Sequence, residues 1–333
     1  MKRTWPVGLV IGLSLLAACG EAGGNNDNND NNDGSSGQNE VSTIGVSNLG
    51  LSFPFTAAIS EGIKSAAEAK GVEIIELDAQ GKADKQASDI QDLIGRQPDG
   101  VLLLPIDSGV ATGLVDQLEA AGIPTVAVAS QVGDPKTRDL EDVYPSLLAL
   151  VTQREVAAGA TAGELALAAL PEGGQVAIVE GAAGFAENTT RVQDFTKAAE
   201  DAGVQFDIVA HQPGDWVPDQ AQSACQNMLA SNPDIKLFYA LSDDMAVGCA
   251  KAVEGAGKDA AVIGIGGSKL GIDSIRSGEI TGTVCYKPED LGKLAFETLY
   301  SYLTTGTEPD PNFVSYDTPG ITQDNVDDCD PQW

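Results

Sequence analysis

The chain of 333 residues has 49 acidic against 19 basic residues, a formal net charge of −30 at pH 7. This charge excludes nucleic acid as an expected partner, because binding to phosphates needs a basic surface. The stretch from residue 41 onward is long enough for two lobes, each with a hydrophobic core of its own.

The first residues have the features of an export signal. Lys2 and Arg3 precede an apolar run at residues 7–18. That run is too short to cross about 30 Å of hydrocarbon, which needs roughly 20 residues. It ends in Leu-Ala-Ala followed by Cys19, the lipobox pattern. The sequence therefore predicts a signal at residues 1–19 and attachment to the membrane through a lipid on Cys19.

Residues 20–40 are almost entirely Gly, Asn, Asp, Ser and Glu. Such a segment cannot bury enough apolar surface to offset its ordering entropy, so we expect a flexible tether. Its Asn-Asn-Asp repeat matches part of a calcium-loop pattern, but no helical pattern flanks it. We predict no metal site and no cofactor.

From residue 43 onward, short β-rich runs alternate with helical patterns, as is typical of parallel sheets with right-handed crossovers. A stretch rich in Gly, Asp and Pro at residues 131–145 interrupts the alternation, so the predicted fold is α/β, with two doubly wound parallel-sheet lobes. Ligands of such sheets bind beyond the carboxyl ends of the strands. The predicted strands are residues 44–46, 73–77, 101–104, 125–128, 176–179, 206–210, 237–240, 261–263, 280–285 and 313–316.

Candidate ligand-binding residues therefore follow the predicted strands. They combine carboxylates, amides, hydroxyls and aromatic rings, which suits a neutral, hydroxyl-rich small molecule. Two alternatives stay open: the phenylalanines as a hydrophobic staple, and Asp243 as a helix cap. The candidates are Asn48, Phe53, Phe55, Asp107, Ser130, Arg191, Trp216, Ser242, Asp243, Gly266 and Tyr286.

The sequence offers no recognisable catalytic arrangement. His211 is the only histidine, and neither a Ser-His-Asp nor a Cys-His set can be built around it. We predict that the chain is not an enzyme and has no catalytic residues.

Five cysteines are present, and Cys19 is assigned to lipidation. The other four, in an exported chain, suggest disulfides with three alternative connectivities. Cys225 and Cys249 lie on helical patterns separated by one strand, which favours their pairing. Cys285 and Cys329 would then form the second pair.

Several short segments, taken in order, resemble the ribose/galactose type of periplasmic binding proteins, which have the type I fold. The resemblance covers about residues 42–316. Its motifs are Phe-Pro-Phe at 53–55, Asp-Ile-Gln-Asp-Leu-Ile at 89–94, Leu-Pro-Ile-Asp-Ser at 104–108, residues 191–195, Ser-Asp-Asp-Met-Ala at 242–246 and residues 278–288.

The resemblance implies a three-strand hinge between the lobes. It implies an N-terminal lobe of residues 41–148 plus 288–312 and a C-terminal lobe of 149–287 plus 313–333. The expected function is that of a lipid-anchored extracellular solute-binding subunit of an ABC importer, a monomer that presents a sugar or polyol to its permease. It would lie on the outer face of the cytoplasmic membrane, on the periplasmic side in a host with an outer membrane. A binding protein that presents a signal molecule to a membrane receptor is the alternative.

Three sites, with four residues in all, depart from the sugar-binding pattern of that family. Ala129 and Ser130 stand in place of Asp-Arg, Ser242 in place of Asn, and Gly266 in place of Asp. Sites that hydrogen-bond a particular hydroxyl discriminate steeply against ligands that lack it. We therefore expect ribose, glucose and galactose to bind poorly, and another sugar or a polyol to be the ligand.

Overall fold

The computed structural model describes residues 40–333. The predicted signal, Cys19 and all of the predicted tether except Glu40 lie outside the described residues. Among residues 40–333, no helix has both the length and the apolar character that a membrane crossing requires.

The first half of the described chain alternates strands and helices. The elements are β1 (Thr43–Asn48), α1 (Pro54–Lys70), β2 (Glu73–Asp78), α2 (Ala83–Arg96), β3 (Gly100–Leu103), α3 (Ser108–Ala120), β4 (Thr125–Val128) and β5 (Ala149–Gln153).

The second half continues the alternation and ends in short strands and a 3-10 helix. Its elements are α4 (Glu155–Ala169), β6 (Gly174–Glu180), α5 (Glu187–Asp201), β7 (Phe206–Pro213), α6 (Pro218–Ser231), β8 (Leu237–Ala240), α7 (Asp243–Gly255), β9 (Ala261–Ile263), α8 (Lys269–Ser277), β10 (Thr283–Val284), α9 (Pro288–Thr305), β11 (Phe313–Tyr316), β12 (Gly320–Ile321) and the 3-10 helix Gln323–Asp328.

Two parallel sheets form the cores of two lobes. The first has the order β11-β5-β4-β3-β1-β2, and the second has the order β7-β6-β8-β9. One face of the first sheet packs against α1 and α9, and the other face against α2 and α3. The inner strands β3, β4 and β8 are buried along their whole length, which is why they are almost continuous apolar runs. The predicted α/β fold with two parallel-sheet lobes is confirmed.

The chain passes between the lobes at three places: between β5 and α4, between β10 and α9, and between β11 and β12. Helix α9 packs on α1 and so belongs to the first lobe. The expected boundaries differ from the sheets at two points, since residues 149–153 and 313–316 were assigned to the second lobe. Both segments, as β5 and β11, pair within the first sheet.

Two disulfides link segments of the second lobe. Cys225 and Cys249 join α6 to α7, with Cα atoms 5.3 Å apart. Cys285 and Cys329, 5.9 Å apart at Cα, join the residue after β10 to the end of the 3-10 helix. All four cysteines are buried, so both disulfides are part of the packed core.

Candidate ligand-binding cleft

A cavity of about 120 Å³ lies between the two lobes. A single water molecule needs on the order of 10–15 Å³ of such space, so the cavity has room for a small molecule. The first lobe contributes residues that follow β1, β4 and β5. The second contributes residues that follow β6, β7, β8 and β9, as expected for the carboxyl ends of parallel strands, and Tyr286, which follows β10.

Aromatic rings from both lobes form much of the cavity wall. Phe55, at the start of α1, lies 6.1 Å from the ring of Tyr286 and 5.5 Å from that of Trp333. On another side, the rings of Phe185 and Trp216 meet edge to face at 5.6 Å. Ring faces of this kind cover the C–H surfaces of a ligand.

The position of Trp216 depends on unusual backbone. Asp215 and Trp216 both have left-handed conformations, with φ of 52° and 63°. Non-glycine residues adopt this region at a cost of about 1–3 kcal/mol, and such residues cluster at functional sites. Gly181 lies against the indole, and a Cβ atom at that position would collide with the ring. The local sequence is therefore shaped to hold this indole at the cavity.

A buried ion pair forms the polar centre of the site. The Arg191 guanidinium donates from Nε to Glu155 Oε2 at 2.7 Å and from Nη2 to Glu155 Oε1 at 2.8 Å. Its Nη1 donates to the backbone oxygen of Leu241 at 2.6 Å, and the Tyr286 hydroxyl donates to Glu155 at 2.9 Å. Burial alone would lower the pKa of Arg191, but the Glu155 carboxylate holds it well above its ordinary value.

The Arg191 guanidinium also lies over two aromatic rings of the cavity wall, 5.9 Å from the ring centre of Trp216 and 5.4 Å from that of Tyr286. Cation–π contacts of this length add to the fixed geometry of the ion pair. The three side chains therefore form one rigid unit.

Glu187 connects the lobes. The Ser130 hydroxyl, from the first lobe, donates to Glu187 Oε1 at 2.6 Å. Burial, together with the nearby Glu155 carboxylate, raises the pKa of Glu187. Its other oxygen, Oε2, is buried and has no hydrogen-bond partner among residues 40–333.

Other polar atoms on the cavity wall are unpaired in the same way. Among residues 40–333, buried side-chain atoms without a protein partner include Gln153 Oε1 and Trp216 Nε1 as well as Glu187 Oε2, and all three residues line the cavity. An unpaired buried polar atom costs about 1–3 kcal/mol. A ligand with hydroxyl groups would satisfy both acceptors and the donor.

Most of the residues that the sequence singled out line this cavity. They are Phe53, Phe55, Ser130, Arg191, Trp216, Ser242, Asp243, Gly266 and Tyr286. Asn48 and Asp107 are not among the lining residues. Asn48 accepts from the backbone of Gly50 at 2.9 Å and donates to Glu76 at 3.0 Å, which fixes the loop after β1. Asp107 caps α3 by accepting from Val110 N at 2.8 Å.

Asp243 lines the cavity but is already bonded within its lobe. The backbone N–H of Ser268 donates to its Oδ2 at 2.7 Å, and the Thr283 hydroxyl donates to its Oδ1. Burial raises its pKa to about 6. The helix cap of α7 is Ser242, whose hydroxyl accepts from Met245 N at 3.3 Å. Asp243 therefore links two loops of the second lobe.

The candidates from the sequence did not include Glu155, Gln153, Glu187 and Trp333, all of which belong to the site. Glu155 begins an alanine-rich helix, and Gln153 ends a strand that was not predicted. Glu187 is the first residue of α5, from which only Arg191 was selected. Trp333 lies in an acidic segment from which no candidate ligand-binding residue was selected. Glu155 could have been identified by its position, since it is a carboxylate at the start of a helix that has few other charged residues.

Comparison with known proteins explains this arrangement. Residues 44–308 match the family model of the periplasmic binding protein domain. The chain belongs to the periplasmic binding protein family. The ribose/galactose-type resemblance is confirmed, and so is the prediction that the chain is not an enzyme, since the family and the relatives below are solute-binding proteins.

The relatives of this periplasmic binding protein cover most of its length. It is 31% identical to the ribose import binding protein RbsB of Bacillus subtilis, over 89% of this chain and 92% of that protein. It is 30% identical to the D-allose-binding periplasmic protein of Escherichia coli, over 82% and 89%. The Caulobacter myo-inositol binding protein, solved with myo-inositol, superposes with a TM-score of 0.77 at 26% identity, over 86% and 95%.

Proposed function

We propose that this chain is the solute-binding subunit of an ABC importer and captures a small neutral sugar or polyol between its lobes. The observation that carries the proposal is the cavity wall. It combines aromatic rings with buried, unpaired acceptors on Glu187 and Gln153 and an unpaired donor on Trp216. A polyhydroxylated molecule has both the C–H faces and the hydroxyls that this wall would satisfy.

The charges around the cavity favour a neutral ligand over a sugar acid. Arg191 is the cation among the lining residues, and Glu155 already neutralises it through two hydrogen bonds. Glu187, Asp243 and Asp244 add further carboxyl groups to the lining. An anionic ligand would have to compete with Glu155 for Arg191 and would face these groups at short range.

The ligands of the relatives define the chemical class without fixing the compound. RbsB binds ribose, and the other two proteins bind D-allose and myo-inositol, all of them neutral and polyhydroxylated. In this chain Ala129, Ser242 and Gly266 stand where family members place stronger hydrogen-bonding groups. We therefore propose a ligand other than ribose, glucose or galactose.

Closure of the two lobes would couple binding to transport. Three hydrogen bonds that join the lobes beside the cavity are Ser130 to Glu187 at 2.6 Å, the N–H of Ser108 to the oxygen of Gly184 at 3.1 Å, and Gln153 to Glu155. A ligand with contacts to both lobes favours the closed state by its differential affinity, and the three crossing segments absorb the rotation. The closed form is the one offered to the permease.

The proposal includes a lipid anchor on Cys19, a monomeric state and a location on the outer face of the cytoplasmic membrane. The lipobox sequence supports the anchor. Labelling of cells with a radioactive fatty acid, with Cys19→Ser as the control, tests it. Label on the Cys19→Ser protein would contradict the assignment.

Thermal unfolding of the purified chain tests the binding role. The panel contains pentoses, hexoses, pentitols, tetritols, inositols and sugar acids. A ligand at about 100 times its dissociation constant adds roughly 2.7 kcal/mol of stability. We expect the largest shift from a neutral polyol or an uncommon sugar. A largest shift from a sugar acid would contradict the charge argument, and one from ribose or galactose would contradict the specificity argument. No shift at all would refute the sugar or polyol class and favour the sensing alternative.

A further inference from the structure

Trp333 lines the cavity, although it follows no strand of either parallel sheet. Its ring meets Phe55 of the first lobe edge to face at 5.5 Å. It also packs against the core of the second lobe. This side chain therefore lies in the cleft between the lobes, in contact with both.

The segment that carries Trp333 is fixed at several points. The backbone N–H of Lys269, the first residue of α8, donates to the oxygen of Trp333 at 2.8 Å. Gln332 Oε1 accepts from the N–H of Glu289, in the first turn of α9, at 2.9 Å. Cys329 is bonded to Cys285, which directly precedes the cavity residue Tyr286. The segment is thus tied to both lobes, and its covalent tie is at the cleft.

Gly266 makes room for the Trp333 ring. A Cβ atom at Gly266 would lie 3.1 Å from Trp333 Cζ2 and 3.0 Å from Asp243 Oδ2. The backbone of Gly266 also has a φ of 150°, which side-chain-bearing residues rarely adopt. A side chain at position 266 would therefore crowd the indole, and it would need a backbone conformation that favours glycine. This end of the cavity presents an aromatic ring to the ligand.

We propose that Trp333 is a ligand-contacting, specificity-determining residue that covers a C–H face of the bound solute, and that the Cys285–Cys329 disulfide holds it there. The proposal rests on the binding role proposed above. It deepens that role by naming the ligand class: a neutral sugar or cyclic polyol with a C–H face free of hydroxyls at this end. The affinity for the solute then depends on the Cys285–Cys329 disulfide and does not depend on the Cys225–Cys249 disulfide.

Isothermal titration calorimetry on the full chain tests the contact. The probes are D-allose, xylitol, ribose, glycerol and myo-inositol, and the compound that binds wild-type protein most tightly is carried forward. Loss of the ring in Trp333→Ala should weaken binding roughly 10- to 100-fold, whereas Trp333→Phe, which keeps a ring, should stay within about threefold of wild type. Leu270→Ala, a change at an exposed side chain next to Lys269, is the matched control and should bind as wild type does.

Removal of each disulfide tests the covalent support. We expect the double variant Cys285→Ser/Cys329→Ser to bind roughly three- to tenfold more weakly, because the ring is then less well positioned. The variant Cys225→Ser/Cys249→Ser breaks the other buried disulfide and should keep its affinity. In a Trp333→Ala background, loss of the Cys285–Cys329 bond should have little further effect, since both changes act on the same contact.

The outcomes separate this inference from the binding role itself. If Trp333→Ala binds the solute as tightly as the wild-type chain does, the inference is overturned and the proposed function stands. If the changes Cys285→Ser and Cys329→Ser weaken binding as much in Trp333→Ala as they do in the wild-type chain, the proposed link between Trp333 and the disulfide is overturned. A lack of binding to every probe by the wild-type chain would refute the proposed ligand class and this inference with it. Unfolding of each variant without solute shows whether it is folded.

Discussion

Replacement of Glu155 by glutamine removes the charge that balances Arg191. The two side chains are 2% and 8% exposed, so water can compensate little for the lost partner. Breaking a buried ion pair from one side costs about 3–5 kcal/mol. Glutamine keeps the shape and one acceptor, so we expect the low end, about 3 kcal/mol of unfolding free energy. At roughly 2–4 °C per kcal/mol for lobes of this size, the melting temperature should fall by roughly 6–12 °C.

Urea unfolding followed by circular dichroism, together with a calorimetric melt, measures this loss. Asp273→Asn is the matched control, since Asp273 and Lys269 form an ion pair with side chains 51% and 74% exposed. Exposed pairs of this kind contribute about 0–1 kcal/mol. If Glu155→Gln destabilised the chain no more than Asp273→Asn does, the reasoning about the buried pair would be refuted.

Glu187 offers a sharper form of the same test. It also interacts with Arg191, and the neighbouring Glu155 carboxylate contributes to its raised pKa. When Glu155 is neutralised, Glu187 ionises more readily and takes over part of the balancing role. The double variant Glu155→Gln/Glu187→Gln should therefore lose more stability than the sum of the two single variants. Additive losses would show that Glu187 gives no compensation.

Three further changes have definite expected outcomes. Gly181→Ala should displace the Trp216 indole and weaken solute binding by roughly tenfold in calorimetry, and unchanged affinity would contradict the packing argument. The pKa of Asp243 rises from 3.8 to about 6 on folding, so its contribution to stability is full below pH 3.8 and is lost as the pH rises through about 6. That loss is about 3 kcal/mol of unfolding free energy. Urea unfolding at several pH values should show that Asp243→Asn lacks this part of the pH dependence. If the variant's stability changed with pH as the wild type's does, the assignment to Asp243 would be wrong. Ser130→Ala removes the hydroxyl that donates to Glu187 across the lobes. The dissociation constant for the solute should rise about threefold to tenfold. An unaltered constant would mean that this hydrogen bond does not support closure.

The fold was predictable because its signal is local. Buried parallel strands appear as short apolar runs, and helices have their own spacing of apolar residues, so the alternation can be read along the chain. Strand β5 was missed because Ala149–Gln153 follows leucines and precedes an alanine-rich helix, and leucine and alanine favour helices. Its pairing with β11, far along the chain, has no local signal.

The site could be predicted where its residues follow strands, because of the rule that ligands bind beyond the carboxyl ends of parallel strands. The rule found Arg191, Trp216 and Tyr286, which the parallel topology brings together. It also selected Asn48 and Asp107, which follow strands as expected but bond to nearby backbone. Whether a polar side chain turns toward the cleft or toward the loop backbone depends on local geometry that the residue type does not determine.

Glu155 and Trp333 were missed for a different reason, because neither follows a strand of the second sheet. Glu155 begins the helix by which the chain enters the second lobe, and its partner Arg191 lies 36 positions later. Trp333 reaches the cavity through a disulfide and through hydrogen bonds to two helices. Contacts of this kind are long-range in sequence and become visible only in the folded chain.

Both lobes contribute aromatic rings and buried polar atoms to the cleft, and the bonding of these groups bears on how a solute would be bound. Arg191, Glu155, Tyr286 and the oxygen of Leu241 are bonded to one another within the second lobe. Gln153, the last residue of β5 in the first lobe, also donates to Glu155, so the network is joined to the first lobe beside the chain crossing between β5 and α4. The first lobe brings Phe55 and other side chains that meet the solute only when the cleft closes. A solute would therefore find hydroxyl partners in both lobes, at Gln153 in the first and at Glu187 and Trp216 in the second, and its contacts with both would favour closure.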